Sequence, residues 1–144
     1  MNSEKKLKEC ISKCDYEEAV KNAPYSALSK WFLEILNKSL KQLSNFDLIR
    51  CIRQKVFTKE AVFEIVQRMM ISGTPLYAGF ESVEIMEKLS SVETSILIKY
   101  RAELIDLIDT MLNTNQIADF VEWVDDEEIN EYMNYVQRIR EKIK

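Results

Sequence analysis

The chain has 144 residues, 47% apolar and 31% charged, a balance that fits a single soluble globular domain with a real hydrophobic core. Two glycines and two prolines are too few for a β-sandwich, a barrel or a linker-rich chain, and the absence of histidine excludes Ser-His-Asp and Cys-His catalysis, histidine-ligated metals and a histidine pH switch. The formal net charge is −4, which with no basic stripe disfavours nucleic-acid binding, and no run approaches the roughly 18 apolar residues of a membrane span.

The first ten residues, MNSEKKLKEC, contain no apolar core of a signal peptide, so a reduced, cytoplasmic protein is expected. Leu7, Cys10, Ile11 and Cys14 predict a first short helix with both cysteines on its inner face, and two thiols without further partners make a poor metal site. Asp15 with Glu18 three residues on reads as the N-terminus of a second helix that stops near Pro24. Ser26 opens a longer one, with Leu28, Trp31, Phe32, Ile35, Leu36, Leu40 and Leu43 at i, i+3/i+4 spacing. Ser44-x-x-Asp47 is the next start signal, followed by the stripe Leu48, Ile49, Ile52, Val56. Thr58 is expected to cap a helix that buries Val62, Ile65, Val66, Met69 and Met70.

Ser72-Gly73-Thr74-Pro75 is the clearest break, and Gly79 prolongs it. Ser82, Met86 and Leu89 mark a short helix. Residues 93–113 predict the longest one, with Leu97, Tyr100, Leu104, Ile108 and Met111 in line and Ile98, Ile105 and Leu112 beside them. Residues 115–124 carry Ile117, Phe120, Val121 and Val124. Asp125-x-x-Glu128 has the form of a capping box for a final helix that buries Ile129, Tyr132, Met133, Val136, Ile139 and Ile143. No segment alternates with period two. The pattern predicts an all-α fold, a compact single-domain bundle of seven or eight helices over residues 1–144.

Charge is unevenly placed. Residues 1–68 carry 13 basic and 9 acidic side chains, whereas residues 102–144 carry 4 and 11. Between Arg101 and Arg138 there is no cation, and ten acids fill the gap: Glu103, Asp106, Asp109, Asp119, Glu122, Asp125, Asp126, Glu127, Glu128 and Glu131. Such asymmetry speaks to partners: an acidic face attracts a basic protein. Two structural explanations compete with that reading. Charge runs keep a surface solvated, and acids in a first helical turn complement the positive end of the helix dipole.

Chemistry is sparse. There is no glycine-rich phosphate loop, HExxH, CxxC or G-x-S-x-G, and a di-metal carboxylate bundle would need Glu-x-x-His. The carboxylates lie in solvent-facing phase, where nothing desolvates one for acid–base work. No enzyme activity, no cofactor and no metal are expected; the protein is expected to act by binding.

The stretch Leu43-Ser44-x-x-Asp47-Leu48-x-Arg50-x-Ile52-Arg53-Gln54, followed by Val56-Phe57, a helix at 59–71, Pro75-Leu76-Tyr77-Ala78-Gly79 and Glu84-Ile85-Met86-x-x-Leu89, resembles a pattern of bacterial contact-dependent growth inhibition (CDI) immunity proteins. It covers about a third of the chain and departs from the pattern at Phe80-Glu81-Ser82-Val83, where the family tends to carry a second glycine and further acids. Asp47, Arg50, Arg53, Gln54 and Gly79 carry the motif; as residues they read as scaffold, Asp47 paired with Arg50 and the arginines holding the Pro-Gly loop.

The resemblance implies an immunity protein that neutralises a cognate toxin domain without chemistry. Its partner is expected to be a basic nuclease, an RNase in particular, held in a 1:1 heterodimer with its active site covered. The residues expected to meet it are Asp119, Glu122, Asp125, Asp126, Glu127, Glu128 and Glu131. Two aromatic anchors join them: Trp123, off the line of Ile117, Phe120, Val121 and Val124, and Tyr135, off the inner stripe of the last helix. The alternative is a helical adaptor that binds another cytosolic protein.

Overall fold

In a computed structural model, residues 1–120 and 124–144 are described, apart from the side chain of Asp119. These residues are all-α. The helices are α1 (Lys13–Asn22), α2 (Ala27–Leu36), α3 (Asn45–Gln54), α4 (Thr58–Ser72), α5 (Glu81–Ser90), the single turn α6 (Thr94–Leu97), α7 (Arg101–Asn113), α8 (Gln116–Phe120) and α9 (Asp126–Lys142). Eight of these span five residues or more, and no strand occurs among the described residues; extended pairing is limited to one bridge between Lys6 and Ser39. The chain divides into two compact units, Met1–Asp47 and Leu48–Lys144.

In the first unit, α1 packs on α2. Most of the predicted stripe of α2 is buried: Trp31, Ile35 and Leu36, joined by Leu40 and Leu43 beyond the helix and by Leu7 and Ala19 before it; Leu28, in the first turn, is exposed and Phe32 half-buried. Ser26 is the N-cap of α2 and its hydroxyl accepts from Ser29 N. The helix is shorter than its stripe, because it stops at Leu36 and Leu40–Gln42 forms a separate 3-10 turn held by a Ser39–Gln42 capping box. The amino-terminal segment departs from expectation. Leu7–Cys10 is a 3-10 turn, Cys10 and Cys14 are exposed, and α1 is capped by Ser12, whose hydroxyl accepts from Asp15 N. Asp15 is therefore a first-turn residue and not the cap. The segment is tied down by the buried Leu7 and by backbone bonds: Leu7 N donates to Lys38 O (3.0 Å) and Lys41 N to Ser3 O (2.9 Å).

The second unit is built on α5 against α9, α4 against α7 and α7 against α8. Its core includes Leu48, Ile49, Ile52, Val62, Ile65, Val66, Met69, Ile85, Met86, Leu89, Leu104, Leu107, Ile108, Met111, Tyr132, Val136, Ile139 and Ile143. Several expectations need correction. Thr58 is the first residue of α4, not its cap, and Phe57 precedes it in the left-handed conformation (φ 52°). Met70 is exposed, because the inner stripe of α4 runs through Met69. The single helix expected over 93–113 is broken into α6, a 3-10 turn at Ile98–Tyr100, and α7, so Ile98 faces solvent while Leu107 turns inward.

Candidate functional site

Helix α9 begins with a side-chain cap. Asp125 accepts from the backbone N–H of Glu128 at 2.8 Å, which satisfies one of the orphan donors of the first turn. Asp126, Glu127 and Glu128 occupy that turn, where the dipole favours negative charge. Capping alone does not account for the display. Asp125, Asp126, Glu127 and Glu131 are exposed and Glu128 is half-exposed, and none of the five forms an ion pair among the described residues.

The opposite end of α9 is different, because its last-turn cations, Arg140 and Lys142, are engaged by other parts of the protein. Arg140 Nη2 donates to Asp109 Oδ1 of α7 at 3.0 Å. Lys142 Nζ donates to the carbonyls of Ser90 and Val92 just past α5, where the negative end of that helix needs a cation. A single helix thus engages its last-turn cations, Arg140 and Lys142, with neighbouring groups and offers its acidic end to solvent.

Between the two ends lies the apolar anchor of α9. Tyr132 is fully buried; its hydroxyl donates to Met111 Sδ at 3.3 Å, and its ring lies 5.4 Å from that of Phe120 at a tilt of 57°. Burial pushes the Tyr132 phenol well above its ordinary range, so it stays neutral. Tyr135, one position off this stripe, is half-exposed with the Arg138 guanidinium 5.6 Å from its ring centroid. Its packing, together with the negative charge of Glu87 and Glu131, raises its pKa above the usual phenol value.

The expected site residues therefore fall into two groups. Asp125, Asp126, Glu127, Glu128, Glu131 and Tyr135 lie together on the first three turns of α9. Glu122 and Trp123 lie outside the described residues, as does Val121. Asp119 lies on α8, its side chain likewise outside what is described.

The motif residues are scaffold in part. Asp47 is buried, and its carboxylate accepts from Trp31 Nε1 (3.1 Å) and from Ser44 N (3.2 Å), while Ser44 Oγ accepts from Asp47 N (3.0 Å). Burial pulls its pKa up; the hydrogen bonds from Trp31 and Ser44, with Lys38 3.9 Å away, outweigh that and hold it below the ordinary carboxylate value. These partners take the place of the expected pairing with Arg50, which is half-buried; Arg53 and Gln54 are exposed.

The Pro-Gly loop is held from α4 and α5. Ala78 N donates to Ser82 Oγ (3.2 Å), and Leu76 N to Thr74 Oγ1 (3.1 Å). Tyr77 hydrogen-bonds to Arg68, itself paired with the buried Glu64 at 3.1 Å. Burial lifts the Tyr77 phenol to about 12. Sequence reasoning missed Glu64 and Arg68, although Glu four residues before Arg on one helix was a readable pair. Gly79 adopts φ +63°, the left-handed turn that lets Ser82 N reach its carbonyl at 2.9 Å.

Residues 13–107 match the family model of CDI immunity proteins. The chain belongs to that family. No curated protein and no solved structure matches it. The match includes the whole motif from Leu43 to Leu89 and ends before α8, so the acidic end of α9 in this CDI immunity protein lies outside the matched residues. The protein is thereby an immunity protein that neutralises a CDI toxin. Among the described residues, no helix is long and apolar enough to cross a membrane.

Proposed function

We propose that this immunity protein neutralises a nuclease toxin, an RNase in particular, by covering a basic active-site cleft in a 1:1 complex in the cytoplasm, with no catalysis of its own. The observation that carries the reading is the acidic end of α9. Asp125, Asp126, Glu127 and Glu131 are exposed and Glu128 half-exposed, without an ion pair among the described residues, on a helix whose last-turn cations, Arg140 and Lys142, are committed elsewhere. A cleft that grips phosphates is cationic, and a carboxylate cluster is the protein surface that substitutes for those phosphates. Charge would steer the encounter. Protection from a few toxin molecules asks for nanomolar affinity, about −12 kcal/mol, so desolvated aromatic anchors such as Tyr135 and Trp123 are expected at the centre.

The experiment must separate capping from docking. The set Asp125→Ser, Asp126→Ser, Glu128→Gln and Glu131→Gln keeps a competent cap and removes four charges. Purified with its cognate toxin domain, the wild-type chain is expected to bind and to block cleavage of RNA. The neutralised set is expected to keep its helicity and to lose about tenfold or more in affinity at low salt. A full-strength complex with the neutralised set would remove the acidic end of α9 from the interface.

A further inference from the structure

The second unit exposes an apolar surface away from its core, around the C-terminal end of α4. Ile71 is 85% exposed, Phe80 67% and Met70 47%. Two grooves flank this point and share Gly73. One is lined by Met70, Ala102, Glu103, Asp106 and Thr110, between the end of α4 and one face of α7. The other is lined by Ser72, Thr74, Leu76, Gly79, Gln116 and Phe120. Phe120 stacks on Tyr132, so the second groove ends beside the helix that carries the acids.

Three features weight this surface toward negative charge, although Lys99 and Arg101 stand beside Glu103 and Asp106 in an adjoining groove. Neither groove is lined by a lysine or an arginine, and Glu103 and Asp106 stand in the first. The last turns of α4 and α7 contain no basic residue, so no cation offsets the negative end of either helix dipole, in contrast with α5 and α9, whose last turns hold Lys88 and Arg140 with Lys142; the final carbonyls themselves are closed, by Gly73 N and Thr74 N in α4 and by Thr114 in α7. Gln116 Oε1 is buried and has no hydrogen-bond donor among the described residues, a deficit that a docked donor would repair. The grooves thus lack a cation and, at Gln116, a donor, beside apolar side chains that gain from being covered.

We propose that this composite groove, centred on Gly73, is a docking surface for the toxin domain, and that the toxin brings to it a lysine or arginine flanked by apolar residues. The proposal rests on the immunity reading above and supplies what the acids of α9 lack: apolar anchors that can be fully desolvated, ringed by acceptors. The cation sits at the end of α4 and the apolar neighbours cover Ile71 and Phe80.

The test uses the cognate toxin domain and titrates it with wild-type chain and with Ile71→Ser, Ile71→Arg, Phe80→Arg and Ser72→Lys. Ile71 and Phe80 are exposed, so these variants are expected to keep wild-type helicity and melting temperature. The two arginine variants are expected to bind about tenfold or more weaker, and Ile71→Ser less severely. Ser72→Lys supplies the missing cation in cis; it is expected to raise the melting temperature and yet weaken binding, a combination a purely structural role does not produce. Wild-type binding together with undiminished binding by Ile71→Arg and Phe80→Arg would overturn this inference and leave the immunity reading standing. Absence of wild-type binding would overturn the immunity reading itself. A free chain that sediments as a dimer, split to monomers by Ile71→Arg, would assign the groove to a second copy and overturn the proposal.

Discussion

Asp47 shows how one motif residue can serve two ends. Its carboxylate closes a reciprocal cap with Ser44 and accepts from the buried indole of Trp31, sixteen residues earlier. Asp47→Ala removes the cap acceptor and strands the Trp31 N–H, so it is expected to cost about 2–3 kcal/mol in a urea titration. Asp47→Asn keeps an acceptor and is expected to cost about 1 kcal/mol. The pH dependence has a definite sign. A folded pKa below the unfolded one means that the contribution is fully present above about pH 4, the unfolded value, and is lost as pH falls through the lower folded value. Wild-type stability is therefore expected to fall below pH 4 more steeply than that of Asp47→Asn, and parallel acid limbs would sink the assignment. Sequence spacing disclosed the Ser44 half of this arrangement and not the Trp31 half, since nothing local distinguishes an indole that donates to a carboxylate from one that only fills volume.

Helix ends decide which parts of the fold could be read in advance. Helices α3 and α4 finish with the same pair of backbone bonds: Val56 N to Cys51 O with Lys55 N to Ile52 O, and Thr74 N to Met69 O with Gly73 N to Met70 O. The left-handed residue is Gly73 (φ +74°) in one and Lys55 (φ +58°) in the other. Ser-Gly-Thr-Pro announced the first stop; a lysine announces nothing. The difference is also energetic. Lys55→Gly relieves left-handed strain and is expected to stabilise by up to about 1 kcal/mol, whereas Gly73→Ala is expected to cost about 1 kcal/mol although no atom lies within 4 Å of the added methyl. Thermal melts of the two single variants should shift in opposite directions; equal shifts would mean that backbone strain is not what distinguishes the two ends.

The same logic explains the break inside residues 93–113. The apolar stripe there is continuous, with no glycine or proline, but Tyr100 leaves helical geometry (φ −112°, ψ 21°) and the phase of the stripe changes across it, which turns Ile98 outward and Leu107 inward. Where a strong stripe met a matching cap, as at Ser26 and Asp125, the start of the element was legible from residues alone.

At the scale of the whole molecule, charge and shape divide the labour of binding. Basic side chains predominate in residues 1–68, while residues 102–144 carry the surplus of acids that sets the net charge of −4. The position of that surplus was legible in the sequence, because charge needs no geometry to be counted; the exposed Ile71 and Phe80 were not, because an apolar residue at a helix end reads the same whether it faces the core or the solvent. The two contributions are separable by kinetics. Steering by exposed carboxylates acts over about a Debye length, roughly 10 Å at 0.1 M salt and 3 Å at 1 M, whereas burial of Ile71 and Phe80 is insensitive to screening.

Raising sodium chloride from about 50 mM to 500 mM is therefore expected to slow association with the toxin domain by about tenfold or more and to change dissociation far less. Neutralising the α9 acids should flatten the salt dependence of the association rate, and Ile71→Ser should raise the dissociation rate at every salt concentration. A stopped-flow series over both variants reads the two rates directly. A salt-independent association rate for the wild-type chain would mean that the acidic end of α9 takes no part in the encounter, and the charge asymmetry would then be a matter of helix capping and solubility alone.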